Sequence, residues 1–228
     1  PDVACMFMLA LSSLWFGASD SVRDLIAERT IWRRERRIGL GLVPYLASKV
    51  FVLGAIVTLQ CSVLVAFNFV ALDMADHGFS FLALAGACTL TGLVGVTLGL
   101  LMSAIFPTSE AAISSLPLLL IPQIAFGGLI VTVKKMGAAA KLISYAMITR
   151  YAFELSIKTG EELSIPGQRG AGTYRAHIKG PLWDLGFRSS SAEDMGLSMP
   201  MLCGVLVGFA TVFLLLTAWF TARSARGN

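Results

Sequence analysis

Charge is scarce in this 228-residue chain: Asp, Glu, Lys and Arg make up 14% of it, while 56% is hydrophobic. Soluble domains carry about 25% charged residues, and the mean hydropathy of +0.75 adds to that contrast. A soluble globular domain is excluded. Histidine is rarer still, with only His77 and His177. Neither stands at metal-ligand spacing from acids or cysteines, and Asp73 and Asp76 beside His77 make a weak metal motif. Cys5, Cys61, Cys88 and Cys203 each sit inside an apolar run with no C-x-x-C pairing, so they read as buried thiols rather than a metal site or a disulfide framework. There is no G-x-x-x-x-G-K-[ST] and no other phosphate-cradling loop, which excludes ATP hydrolysis by this stretch alone. No Ser-His-Asp arrangement can be read, so no catalytic residue is assigned.

What remains is hydrocarbon. Five apolar runs are long enough to cross a bilayer, at roughly 3–18, 45–70, 79–106, 111–133 and 200–222. The first run is a little short and follows Pro1 almost directly, with no basic region before it. It is a poor signal peptide, and the natural start is expected upstream. The third run carries Gly92, Gly95 and Gly99; the last two, and Gly204 and Gly208 in the fifth run, form small-xxx-small patterns that let helix backbones approach closely. Pro117 and Pro122 lie inside the fourth run, where they predict a kink or a functional break. The stretch 134–199 is mostly outside the core. Its first part, 136–157, is apolar enough to dip into the interface, and the remainder reads as a compact extramembrane loop.

The charge is concentrated in one place. Between the first two runs, 20–38 holds Arg23, Arg29, Arg33, Arg34, Arg36 and Arg37 among Asp24, Glu28 and Glu35, interleaved with Ile26, Ile31 and Trp32. A charged helix of this kind is excluded from mid-bilayer by several kcal/mol per charge. Asp20 and Ser21 offer N-cap oxygens, Gly39 and Gly41 end the segment, and Pro44 suits the first turn of the next helix. Lys49 lies near the start of the second span, where its stem can snorkel to the headgroups. The short loops at 73–78 and 107–110 hold no Lys or Arg, and the tail holds Arg223 and Arg226. The positive-inside rule therefore puts the arginine-rich loop and the C-terminus in the cytoplasm. The long loop carries nine Lys or Arg against six acids, but long loops translocate largely regardless of charge. The net charge of +4 follows from this topology and gives no sign of nucleic-acid binding.

The run ERTIWRRERR at 28–37, followed by GLVPYLASK at 41–49, resembles the first cytoplasmic loop of G-subfamily (white-type) ABC exporters. FGGLIV at 126–131, ISY at 143–145 and RYAFE at 150–154 resemble the same family's fifth span and the re-entrant segment after it. The order and spacing agree over essentially the whole chain, closest to bacterial members whose ATPase is fused upstream. The resemblance implies an all-α membrane protein: a polytopic helical bundle corresponding to spans two to six of a six-span permease domain. In it, 20–38 is a cytoplasmic coupling helix, and 134–199 is a long extracytoplasmic loop with a re-entrant helical segment. Eukaryotic members staple that loop with cysteines, whereas 134–199 has none, which fits a bacterial inner membrane.

Residue by residue, the resemblance implies that Glu28, Arg29, Arg33, Arg34 and Glu35 couple to an ATPase. It places Ser13, Phe16, Ile121 and Ile124 on the wall of a central substrate cavity, and Leu129 and Ile130 at its outer gate. Each has a plainer alternative: a topogenic basic patch on lipid for the arginines, ordinary helix packing for the rest. Arg150 and Glu154, one turn apart, read as a structural pair. No cofactor is expected in this chain; ATP and Mg belong to a nucleotide-binding domain, fused upstream or separate. A second permease copy and membrane lipid complete the expected partners. The function implied is an ATP-driven exporter moving a lipid-like or amphipathic substrate. The alternative is a membrane-anchored scaffold or enzyme acting through 134–199. An ion-coupled transporter is disfavoured, because no ionisable residue lies at mid-span.

Overall fold

The computed structural model describes residues 3–74, 79–128, 138–161 and 198–224, and these residues form helices joined by short turns. In chain order they are α1 (Val3–Ser21), α2 (Asp24–Ala27), α3 (Arg29–Arg37), α4 (Leu42–Ala71), α5 (Phe81–Ile105), α6 (Ser109–Phe126), α7 (Ala138–Tyr145), α8 (Ile148–Glu161) and α9 (Met199–Ser224). Five stretches are long and apolar enough to cross a membrane: Ala4–Ala27, Leu42–Ala71, Phe81–Ile105, Ser109–Phe126 and Met199–Arg223. The polytopic all-α architecture read from the sequence is the one observed.

Helix α5 is the hub. It is the most buried of the spans, and it packs against α1, α4, α8 and α9. Its glycines explain the closest of these contacts. A Cβ on Gly95 would run into the carbonyl of Leu14, and one on Gly99 would meet the Ala18 carbonyl at 2.5 Å. From the other side, a Cβ on Gly17 would collide with the Gly92 carbonyl and lie 2.6 Å from Val96 N. Two backbones therefore touch where lipid supplies no hydrophobic drive and close van der Waals contact must do the work. Gly204 and Gly208 share the spacing but not the contact: nothing lies within 4 Å of a Cβ built on either. The close approach expected of them is not made within the described residues.

Helix starts follow local chemistry. Ser80 Oγ accepts from Ala83 N (3.5 Å) at the head of α5, and Thr108 Oγ1 accepts from Ala111 N (3.4 Å) at the head of α6. Gly41 precedes α4, with Pro44 in its first turn, and Gly39 closes α3 with φ +106°. The cap expected at Asp20 and Ser21 is not there. Helix α1 runs on through both, so neither stands at a helix start, and the Ser21 hydroxyl donates back to Gly17 O (2.6 Å). The charged segment is also two helices rather than one, broken at Glu28 (φ −100°, ψ 6°). Helix α6 ends at Phe126, before Gly127 and Gly128, the latter at φ +101°. Leu129 and Ile130, and almost all of the outer loop beyond α8, lie outside the described residues.

Candidate functional site

One end of the bundle gathers the segments that carry most of the charge among the described residues. The end of α1, both short charged helices, the start of α4, and the last turns of α5 and α9 meet there around a cleft. Leu25, Arg29, Trp32, Arg33, Tyr45, Ser103, Ala104 and Thr221 line it. Helix α2 is fastened to α5 by Ile26 N, which donates to Ser103 Oγ (3.1 Å).

Arg29 makes the next attachment. Its guanidinium donates to Ser103 O (3.2 Å), Phe106 O (2.7 Å) and Pro107 O (3.5 Å). These carbonyls lie at the C-terminal end of α5, where the helix leaves acceptors without intrahelical partners and the macrodipole favours a cation. Glu28 makes the third. Its Oε1 is 2.6 Å from Lys49 Nζ, and its Oε2 accepts from Tyr45 OH at 3.5 Å. Asp24, one turn earlier, approaches the same ammonium at 3.1 Å. Lys49 was expected to snorkel to headgroups. Instead two carboxylates draw it inward, and its side chain is only 17% exposed.

An aromatic stack covers this ion cluster. Trp32 lies flat on Tyr45, with centroids 4.3 Å apart and planes 20° from parallel, and Arg36 sits 5.9 Å from the Trp32 ring. Trp32 is 3% exposed, and its indole N–H has no hydrogen-bond partner among the described residues.

Within the ATPase-coupling set, Glu28 and Arg29 are therefore internal fasteners. Arg33 is half-buried at the cleft, Glu35 is half-buried, and Arg34 is exposed. The outward side of α3 carries Thr30, Ile31, Arg34 and Arg37, continued by Ile38. The cavity candidates divide as well. Phe16 and Ile124 keep part of their surface and Ile121 is 61% exposed, on helices α1 and α6 that pack together. Ser13 does not join them. It is fully buried against α5, its hydroxyl donates to Leu9 O (2.7 Å), and its carbonyl faces Gly92. Assigning it to the cavity wall is corrected: it is part of the α1–α5 seam. Glu154 pairs with Lys158 (3.2 Å), and Arg150 donates to Ser144 Oγ (3.0 Å) and lies over Tyr145.

The sequence reading missed Asp24, Tyr45, Lys49 and Ser103 as members of one joint. A signal was present for two of them: a lysine two turns inside an apolar helix needs an anion, and Asp24 and Glu28 stand at helical spacing. Among the described residues, no cluster of three or more His, Cys, Asp or Glu is placed to hold a metal.

A multi-span helical membrane domain, with a charged inter-span segment fastened to the ends of two spans, is the class these features define. The chain belongs to the ABC-2 type transporter family, whose pattern it matches over residues 2–159. It is similar to the ABC transporter ATP-binding/permease protein Rv1747 of Mycobacterium tuberculosis, at 26% identity over 168 residues. That match covers 71% of this chain and 19% of the relative, so the chain spans about a fifth of the relative's length.

Proposed function

We propose that this domain is the permease of an ATP-driven exporter that moves a lipid-like or amphipathic substrate by alternating access between two copies. The observation that carries the reading is the double fastening of the charged segment: Glu28 and Asp24 to Lys49 on α4, and Arg29 to the end of α5. A force applied to α3 reaches two spans through ion pairs and hydrogen bonds rather than through a flexible loop. The segment 20–38 then acts as the coupling element, with Arg34 and its exposed neighbours turned toward a nucleotide-binding domain. That domain, fused upstream or separate, would bind ATP and Mg; the relative's name joins ATP-binding and permease functions in one protein. Glu28 and Arg29 transmit, while Arg33, Arg34 and Glu35 engage.

Phe16, Ile121 and Ile124 are proposed to face the substrate, with Leu129 and Ile130 as the outer gate. An apolar substrate fits the spans. Their hydroxyls are used by their own helices, as with Thr58 to Gly54 O (2.7 Å), Thr91 to Ala87 O (2.8 Å) and Thr217 to Phe213 O (2.7 Å). Those donors are therefore not free for a polar substrate. The arginine-rich segment and the C-terminus are proposed to face the cytoplasm of a bacterial inner membrane, with the 134–199 loop on the other side; the arginines of the first loop and the tail support that sidedness.

The test is the ATPase activity of the complete transporter in lipid, with and without Arg34→Ala and Glu35→Ala. Loss of lipid- or substrate-stimulated turnover with the permease still folded supports coupling. Unchanged stimulation in both variants rejects it in favour of a scaffold acting through the outer loop.

A further inference from the structure

Helix α6 is held in an unusual way. Its buried residues, Ala112, Leu116, Leu120 and Gln123, form a single stripe. The last of them is a glutamine only 5% exposed, flanked by exposed Ile121 and half-buried Ile124. Pro122 and Pro117 interrupt the backbone ladder of the same helix, since each removes a donor.

Gln123 meets Thr149 at the head of α8, and the exchange is reciprocal. Thr149 N donates to Gln123 Oε1 (3.1 Å), while Thr149 Oγ1 donates to Gln123 O (2.7 Å) and lies 3.0 Å from Gln123 Oε1. Thr149 N is one of the first four donors of α8, and Gln123 O is one of the last four acceptors of α6. Both are groups that helix geometry leaves without a partner inside the helix. Each helix end caps the other. Gly127 leaves room for this: a Cβ there would lie 2.6 Å from Gln123 O and 2.8 Å from Thr149 Oγ1. Helix α8 is itself anchored, with Phe153 edge-on to Phe7 of α1 (5.4 Å) and Leu155 buried in an apolar cluster with Leu14, Leu98 and Leu202. The fixed body is α8, and the weakly held one is α6.

We propose that the Gln123–Thr149 pair is the pivot on which α6 turns during transport, making both of them positioning residues for the face that carries Ile121 and Ile124. The pair holds one end of α6 at a fixed rotation. The proline-interrupted remainder, held among the described residues by its apolar stripe, moves against α1 and α5. This inference rests on the transport reading above.

The experiment uses the complete transporter in lipid nanodiscs, with half-buried Cys5 and Cys203 replaced by alanine and Ile121→Cys as the reporter. Maleimide labelling is followed without nucleotide and with the ATPase trapped. In the parent, trapping is expected to change the labelling rate about fivefold or more. Thr149→Val removes the hydroxyl at nearly constant volume and is expected to bring that ratio close to one, while Thr149→Ser restores it. Phe153→Leu serves as the control for a purely structural loss, with a lowered Tm and the nucleotide response retained. If Thr149→Val lowers Tm but keeps the parent's ratio, the pair is only a structural cap and the proposal fails. If the parent shows no nucleotide response, the transport reading fails instead, whatever the pair does.

Discussion

Lys49 Nζ lies 2.6 Å from Glu28 Oε1, joining the second membrane span to the charged segment that precedes it. With Asp24 at 3.1 Å on the same ammonium, one cation serves two carboxylates that stand a helical turn apart in sequence. The cluster is partly shielded, with side-chain exposures of 17% for Lys49, 26% for Asp24 and 38% for Glu28. It lies between the surface regime, where a pair contributes little, and the buried regime, where breaking one costs several kcal/mol.

Lys49→Met therefore leaves two neighbouring carboxylates without their cation. After discounting for solvent screening at Glu28, the loss is about 1–3 kcal/mol. Thermal unfolding in detergent or nanodiscs measures it. Adding Glu28→Gln and Asp24→Asn to Lys49→Met recovers most of the loss, because the repulsion goes with the charges. A triple variant no better than the single one would show that Lys49 acts through packing.

The α1–α5 seam sets up a contrast between identical substitutions. Gly17→Ala places a methyl against the Gly92 carbonyl, and backbone cannot move aside as a flexible side chain can. Overpacking of that kind costs about 1–3 kcal/mol or more. Gly204→Ala and Gly208→Ala on α9 meet nothing within 4 Å, and the helix gains up to about 1 kcal/mol from each. Folded yield and Tm of the three variants in the same detergent decide it. Equal losses at all three would show that α9 packs as tightly as the seam.

Much of the architecture was legible because a span is a one-dimensional signal: about 20 apolar residues declare it whatever their rotation. Glycines at 95 and 99 and at 204 and 208 show where that stops. Both pairs have the same spacing, and among the described residues only the first has a partner backbone against it. Ser13 went astray for the same reason. Each residue turns a helix by about 100°, so position along the chain says little about which face a side chain occupies. Glu28 and Arg29 were read as part of one charged helix, whereas Glu28 stands at the break between two and Arg29 opens the second. Their partners, the Lys49 ammonium and the carbonyls at the end of α5, come from other spans, and no local pattern announces them.

Trp32 offers a test in which two substitutions of one residue separate. Its ring is stacked on Tyr45 and buried, yet its N–H has no acceptor among the described residues. Trp32→Phe keeps an aromatic face on Tyr45 and removes a donor whose burial without a partner costs about 1–3 kcal/mol. It is expected to be near neutral or stabilising. Trp32→Ala removes the ring as well and costs about 3–5 kcal/mol. Denaturation of the two variants beside the parent reads both. A loss with phenylalanine as large as with alanine would show that the indole N–H is satisfied in the assembled protein.

The two arginines Arg29 and Arg34 should fail in different ways. Arg29 donates to the carbonyls of Ser103, Phe106 and Pro107, so Arg29→Ala uncaps α5 and detaches α3. With three acceptors lost to one charged donor, the cost is about 1.5–3 kcal/mol. Stability and coupling are then expected to fall together. Arg34 is exposed on the opposite side of α3, and a surface substitution away from special features changes stability by no more than about 0.5 kcal/mol. If α3 is the element an ATPase pushes on, Arg34→Ala leaves Tm unchanged and lowers stimulated turnover, and its effect weakens at high salt because the contact is a screened charge at a wet interface. The measurement is Tm and stimulated ATPase rate on the same preparations, at low and high ionic strength. Loss of turnover in Arg29→Ala with none in Arg34→Ala at either salt would mean that the segment contributes rigidity alone and that the drive enters elsewhere.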